Sequence, residues 1–132
     1  MRNKNVVGAI VYNKGRILCV KKGPCSNPFT AFKFEFPGGK VEEGETKEQA
    51  LSRELLEEMN FAISPDAFKF FMTVHHSYES FSIDLSLFKV EVENPKFELK
   101  EHIEYKWLYP KDLLSVEWAP ADKDVLERLI KE

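Results

Sequence analysis

Apolar runs and turn residues divide the first part of the chain into predicted strands. Residues 6–12 form a β-branched apolar run, Asn13-Lys14-Gly15 supplies turn residues, and residues 17–20 form a second run, which together predict a hairpin. Apolar and charged residues then alternate over residues 32–36, as in a half-buried strand. Pro37-Gly38-Gly39 is predicted to end that strand.

The rest of the chain alternates between helical and strand patterns. Thr46 is a candidate N-cap and Asn60 a candidate helix end in the left-handed conformation, so a helix is predicted over residues 46–59. Strands are predicted at residues 68–76, 81–92 and 105–108, and a second helix at residues 121–131. This order favours an α/β (α+β) fold with a mixed sheet covered by helices.

The first helix carries three glutamates on one stripe. At 100° per residue, Glu54, Glu57 and Glu58 lie within about 100° of arc, and like charges at this spacing repel by a few tenths of a kcal/mol per pair. A hard divalent cation such as Mg²⁺ offsets that repulsion, whereas a solvated acidic surface is the alternative. The neighbouring arc is expected to face a core and comprises Leu51, Leu55, Leu56 and Met59.

Composition and charge narrow the classes of function. A chain of 132 residues with 43% hydrophobic and 31% charged residues fits a single globular domain over residues 1–132. The net charge of −3 favours neither a nucleic-acid polymer nor a membrane surface as partner. Cys19 and Cys25, with no apolar signal segment at the N-terminus, predict free thiols in a reducing cytoplasm.

A wider motif surrounds the glutamate stripe. Gly39, Glu45 and residues 53–61 resemble the Nudix box, Gly-x5-Glu-x7-Arg-Glu-U-x-Glu-Glu-x-Gly-U with U apolar, at eight of its nine defined positions. The departure is Asn60 in place of Gly, which preserves the helix end because Asn tolerates positive φ. The flanks at residues 34–40, 104–108 and 118–122 are similar to the MutT-like branch. The resemblance implies the Nudix sandwich, a mixed sheet between helices.

The resemblance implies a metal site on this helix. Glu57 and Glu58 are implied metal ligands, and Glu54 is implied to be either the base that activates water or another ligand; we favour the base, with a share in the metal. Gly38 is a candidate ligand through its carbonyl oxygen, with a plain tight turn as the alternative. Glu101 is a candidate further ligand, with an exposed loop glutamate as the alternative. The implied cofactor is Mg²⁺, with Mn²⁺ as a substitute.

Other motif residues have supporting roles. Glu45 and Arg53 are expected to pair and fix the helix, and Gly39 to supply the turn before it. Lys40 and one of Lys21 or Lys22 are candidates to bind phosphates as point charges. We take Lys22 of the two. His75 and His76 point to opposite faces of a strand, so they are expected to be structural or rim residues.

Candidates for nucleobase binding lie in the second half of the chain. Phe81, Tyr78 and Trp118 offer flat surfaces, although most aromatic residues of such a chain belong to the core. Asp122 offers an acceptor for an exocyclic amine such as that of cytosine. Its alternative role is N-cap of the last helix.

The predicted function is Mg²⁺-dependent hydrolysis of nucleoside or deoxynucleoside triphosphates to a nucleoside monophosphate and pyrophosphate. CTP or dCTP and an oxidised nucleotide such as 8-oxo-dGTP are the candidate substrates, and the protein is expected to be a monomer or homodimer. Two alternatives stay open: a Nudix hydrolase of ADP-ribose or dinucleoside polyphosphates, and a nucleotide-binding module without catalysis.

Overall fold

A computed structural model describes residues 2–132. It contains seven strands and two α-helices, besides short 3₁₀ turns at Pro65–Ala67 and Pro110–Ser115. The predicted hairpin, the later strands and both helices are confirmed, with small changes of boundary. In chain order the elements are β1 (Arg2–Asn13), β2 (Arg16–Lys22), β3 (Phe34–Glu35), β4 (Gly38–Lys40), α1 (Lys47–Met59), β5 (Lys69–Ser77), β6 (Phe81–Glu91), β7 (His102–Leu108) and α2 (Pro120–Lys131).

The seven strands form one mixed sheet. Its main order is β3-β2-β1-β6-β5, with β4 as a further partner of β1 and β7 as a further partner of β2. β1 runs antiparallel to β2 and parallel to β6. One buried cluster contains the apolar side chains of α1 and another contains those of α2. The mixed sheet between helices confirms the predicted fold class.

The two cores follow from alternation along β1, because successive strand residues point to opposite faces. Val7, Ala9 and Val11 join the cluster of α1, whereas Ile10 joins the cluster of α2. No helix among residues 2–132 has the length and apolar character to cross a membrane. Cys19 and Cys25 are both free thiols, as predicted.

The region after β2 differs from the prediction. Only Phe34 and Glu35 of residues 32–36 form a strand, because Phe32 has a φ of 60° and lies exposed at the end of a loop over residues 23–33. Gly38 does not end a strand but begins β4, which pairs with β1. A Cβ at Gly38 would overlap the carbonyl oxygen of Val7, so this close pairing requires glycine.

Helix α1 is held at both ends as the sequence predicts. The Thr46 hydroxyl accepts a hydrogen bond from the N–H of Gln49 at 3.1 Å, and the Gln49 side chain accepts one from the N–H of Thr46 at 2.9 Å, which completes a capping box. Asn60 terminates the helix with a φ of 49°. The prediction for Leu56 is wrong: its side chain is 51% exposed. The buried side chains of helix α1 form a narrow stripe at positions i, i+4 and i+8. Leu56 lies 100° around the helix axis from this stripe.

The segment of residues 92–101 crosses the side of α1 and leads to β7. The N–H of Glu98 donates to the carbonyl of Met59 at 2.9 Å, and the Phe97 ring lies 5.3 Å from the Phe61 ring. These contacts fix the path of the segment next to the end of α1. Glu101 is therefore brought to the same part of the molecule as the glutamates of α1.

Candidate functional site

A cleft of about 740 Å³ lies where β1, β3, β4 and β6 meet the loop of residues 23–33. This volume suits a small-molecule site. Its lining combines apolar side chains with acids, the lysines Lys4 and Lys22, and the rings of Phe36, Tyr78 and Phe81. Among the lining residues are Val6, Lys22, Glu35, Gly38, Gly39, Glu58, Tyr78, Phe81, Ile83, Leu85, Glu101, His102 and Asp122.

Glu58 reaches the cleft from α1. The pKa of Glu58 is raised to about 8, first by burial, then by the charge and hydrogen bond of the nearby Glu54 carboxylate, with smaller contributions from Glu101 and Glu35. Glu54 packs directly against Gly39, where an added Cβ would overlap its carboxylate. Glu54, Glu101 and Glu35 are therefore close enough to Glu58 for their charges to act on it.

Arg53 binds the carboxylates of Glu45 and Glu54 from outside the cleft. Its Nη2 donates to Glu45 Oε1 at 2.7 Å and its Nε to Glu45 Oε2 at 3.1 Å. Its Nη1 donates to Glu54 Oε1 at 2.8 Å, and its Nη2 also donates to the carbonyl of Lys40 at 3.0 Å. The hydrogen bonds from Arg53 lower the pKa of Glu45. The structure thus brings the expected Glu45 and Arg53 pair together and extends it to Glu54.

Glu57 lies outside the acid cluster. Its carboxylate accepts from Arg53 Nη1 at 3.2 Å, and its side chain is 54% exposed. Across the part of the chain that the structure describes, no three His, Cys, Asp or Glu side chains converge tightly enough to hold a metal as they stand. The predicted ligands Glu54, Glu58 and Glu101 nevertheless fit a hard divalent cation, because they are oxygen donors whose mutual repulsion raises the pKa of Glu58.

The predicted phosphate-binding residues separate into two groups. Lys22 lines the cleft, whereas Lys21 lies 3.9 Å from Glu104 and Lys40 has an exposed side chain outside the lining. Lys40 contributes instead through its carbonyl, which binds Arg53. Gly38 lines the cleft beside Glu58 within the short strand β4.

Asp122 lies inside the cleft wall and is not an N-cap. Ala119 occupies the N-cap position of α2, which places Asp122 in the first turn. The N–H of Phe36 donates to Asp122 Oδ2 at 2.9 Å, and the residue is only 8% exposed. Burial raises the pKa of Asp122 to about 8, with a further contribution from the Glu35 carboxylate.

Two of the three predicted aromatic residues line the cleft. The rings of Tyr78 and Phe81 stack with centroids 4.9 Å apart, and Lys4 Nζ lies 4.5 Å from the Phe81 centroid. Trp118 belongs to the core instead, because its ring packs 4.8 Å from Phe36 and its Nε1 donates to the carbonyl of Leu113 at 2.7 Å. The expectation that Trp118 offers a surface to the base is therefore wrong.

The adjacent residues His75 and His76 contact different elements. His75 Nδ1 lies 2.6 Å from Asp84 on the neighbouring strand, whereas His76 Nδ1 lies 3.6 Å from Asp124 on α2. Neither lines the cleft. Their opposite orientation agrees with the prediction.

Glu35, His102 and Lys4 are charged or titratable residues of the cleft that sequence reasoning did not assign to the site. Glu35 carried a signal, since a charged residue between two buried phenylalanines of one strand must point away from their core. His102 and Lys4 carried none, because they reach the cleft only through pairing of strands that are distant in sequence.

Comparisons with known proteins agree with this architecture. The sequence model of the NUDIX domain matches residues 2–129. The chain is 30% identical to 8-oxo-dGTP diphosphatase of Escherichia coli strain K12 over 129 residues, which cover 98% of each chain. It is 32% identical to CTP pyrophosphohydrolase of the same strain over 127 residues, 96% of this chain and 91% of the relative. A crystal structure of the MutT protein from Methanosarcina mazei Go1 superposes with a TM-score of 0.83 at 25% identity, covering 98% and 94% of the two chains.

Proposed function

The chain belongs to the Nudix family, and we propose that it hydrolyses nucleoside or deoxynucleoside triphosphates to a nucleoside monophosphate and pyrophosphate. The observation that carries this proposal is the meeting, in one cleft, of the acids around Glu58 with the group formed by Tyr78, Phe81 and Asp122. The first group suits a metal-bound polyphosphate and the second suits a base. Relatives named 8-oxo-dGTP diphosphatase and CTP pyrophosphohydrolase support the same reaction.

We propose Mg²⁺ as the cofactor, with Mn²⁺ as a substitute. Glu54, Glu58, Glu101 and the carbonyl of Gly38 would hold it, and Glu57 would join them by leaving Arg53. When bound, the cation neutralises phosphate charge and lowers the pKa of water. It also relieves the repulsion that raises the pKa of Glu58 in the protein alone.

The protein supplies the base and the positive charge. We propose that Glu54 accepts the proton of the attacking water, because Arg53 fixes one of its oxygens at 2.8 Å and the missing side chain of Gly39 makes room for its carboxylate. The water oxygen bonds to a phosphorus of the triphosphate chain as the bond from that phosphorus to a bridging oxygen breaks. Lys22 faces the cleft as a point charge for the phosphate oxygens.

We propose that Asp122 recognises the base. Its position in the wall, with one oxygen bound by the Phe36 N–H, leaves the other oxygen to accept from an exocyclic amine. Cytosine and 8-oxoguanine both carry such an amine, and CTP or dCTP is the substrate that we place first. We also propose a cytoplasmic enzyme that acts on free nucleotides as a monomer or homodimer.

The test is pyrophosphate release from a panel of normal and oxidised nucleoside triphosphates, with ADP-ribose beside them, at about 5 mM Mg²⁺, which suits a weak carboxylate site. We expect turnover of one triphosphate that is lost on metal removal and in Glu58→Gln. Glu43→Gln is the matched control, because Glu43 is exposed and outside the cleft.

Two outcomes would contradict the proposal. Turnover of ADP-ribose with silence toward every triphosphate would favour a hydrolase of diphosphate-linked nucleosides. Nucleotide binding without any turnover would favour a binding module.

A further inference from the structure

His102 is a buried polar residue of the cleft that the proposed mechanism does not use. It begins β7, its side chain is only 4% exposed, and its Nε2 lies 2.9 Å from Glu35 Oε2. Its Nδ1 is buried and has no hydrogen-bond partner among residues 2–132. A proton on Nδ1 would be a buried N–H without a partner, which is unfavourable. The proton therefore belongs on Nε2, from which it is donated to Glu35.

Glu35 lines the cleft together with Glu58 of the acid group and with Tyr78 and Asp122 of the group that suits a base. Its negative charge contributes to the raised pKa of Glu58 and also to the raised pKa of Asp122 and of Tyr78. It is therefore near both the acids that suit the phosphates and the residues that suit the base. In a nucleotide the sugar connects these two parts. A nucleotide that spans the cleft therefore brings its sugar past Glu35.

The carboxylate of Glu35 needs a partner to stay in this place. The ionised forms of Glu58 and Asp122 repel it, its side chain is 21% exposed, and its hydrogen bond with His102 ties it to β7. A carboxylate accepts hydrogen bonds only, and sugar hydroxyls donate them. A held Glu35 is thus a ready acceptor for the hydroxyls of the sugar.

We propose that His102 is a positioning residue that holds Glu35 for hydrogen bonding to the sugar of the nucleotide, and that the pair makes the enzyme prefer ribonucleotides to deoxyribonucleotides. The inference rests on the proposed function. A ribose presents two hydroxyls to Glu35, whereas a deoxyribose presents one. The preference follows because the lost donor leaves part of the half-buried carboxylate without a partner.

The experiment compares kcat/KM for CTP and dCTP in the wild type and four variants. In the wild type we expect CTP to be favoured about tenfold, the effect of one hydrogen bond to a charged group. His102→Leu and Glu35→Ala should each bring the ratio close to one. His102→Gln should keep most of the preference, because its amide N–H can replace the Nε2 donor. In the Glu35→Ala background, His102→Leu should change the ratio no further.

His75→Gln is the matched control, since His75 is exposed, lies outside the cleft and should leave the ratio unchanged. An equal loss of activity toward both nucleotides in His102→Leu, with the ratio kept, would show a structural role and overturn the inference. So would a wild-type ratio near one. If His102→Leu does not fold, the CTP to dCTP ratios of Glu35→Ala and His102→Gln decide whether the inference holds.

Failure of the proposed function is distinguishable from failure of this inference. If the wild type hydrolyses no triphosphate, calorimetric binding of CMP and dCMP provides the same ratio without catalysis. Equal affinity for the two monophosphates would then overturn the inference on its own. Tighter binding of CMP that is lost in Glu35→Ala would support it.

Discussion

Arg53 donates two hydrogen bonds to Glu45, from Nε to Oε2 at 3.1 Å and from Nη2 to Oε1 at 2.7 Å. The same guanidinium donates its Nη1 to Glu54 at 2.8 Å. The loop before α1 and the carboxylate proposed as base are therefore fixed by one side chain. This pairing orients Glu54 without touching the nucleotide.

Arg53→Lys should lower kcat by about 10- to 100-fold and leave KM little changed. Lysine is a point charge that cannot replace the planar fork, so Glu54 loses its fixed position, and small misplacement of a reacting group has effects of this size. Steady-state kinetics with the preferred triphosphate measures it. Arg2→Lys, at an exposed position of β1, is the control. An unchanged kcat in Arg53→Lys would separate Arg53 from the orientation of Glu54.

The metal-free protein should lose stability as the pH rises from about 4 to about 8. Glu58 and Asp122 have ordinary pKa values of 4.5 and 3.8, and the fold raises both pKa values to about 8. The folded state therefore holds two protons that the unfolded state has released in this window, and that stabilisation is gone above pH 8. Urea unfolding in EDTA across this range measures the slope.

Glu58→Gln and Asp122→Asn should each flatten that slope, because the side chain can no longer ionise. Glu45 acts in the opposite sense: its pKa is lowered, so the stabilisation it provides is lost as the pH falls below 4.5. Its effect therefore lies outside the window of the other two acids. A slope that is unchanged in both variants would contradict the prediction.

Gly39→Ala should reduce kcat by about 100-fold while the secondary structure is kept. The added methyl group would overlap the Glu54 carboxylate and displace it from its place beside Glu58. Kinetics and far-UV circular dichroism measure the two effects. Gly44→Ala is the contrast: Gly44 has a φ of 85° and nothing near its Cβ position, so the variant should lose about 1 kcal/mol of stability and keep its kcat.

Above pH 8, where Asp122 is ionised, Asp122→Asn should shift the ratio of kcat/KM for CTP over UTP by about tenfold toward UTP. The amide oxygen can still accept from the Phe36 N–H, and the amide N–H₂ can donate to the carbonyl that uracil has where cytosine has an amine. The two nucleotides differ in the base alone, so the ratio isolates base recognition. A ratio equal to that of the wild type would remove Asp122 from base recognition.

Features set by local sequence were predictable. The capping box at Thr46, the left-handed Asn60 and the period-2 sequence alternation of β6 depend on neighbouring residues, so α1 and the strands other than β4 were predicted within a few positions. The stripe of Glu54 and Glu58 followed from helical geometry alone. The family motif added the expectation of a metal and a polyphosphate.

Features set by tertiary contacts were not predictable. The position of Trp118 depends on the bond to Leu113, and the exposure of Leu56 depends on which stripe of α1 meets the sheet. Glu35 and His102 are far apart in sequence and meet only because β2 pairs with both β3 and β7. Glu57 shares the stripe of Glu58, yet Arg53 draws it to the outside.

The parallel pairing of β1 with β6 governs how the chain can fold. Arg2 pairs with Phe81 and Tyr12 with Glu91, so the intervening chain must be arranged before these partners meet. Non-local pairing of this kind slows folding, since loop-closure entropy is lost before contacts are gained. The cleft draws its walls from both sides of that pairing. The proposed nucleotide site therefore depends on the pairing of two strands that are distant in sequence, because both of them line it.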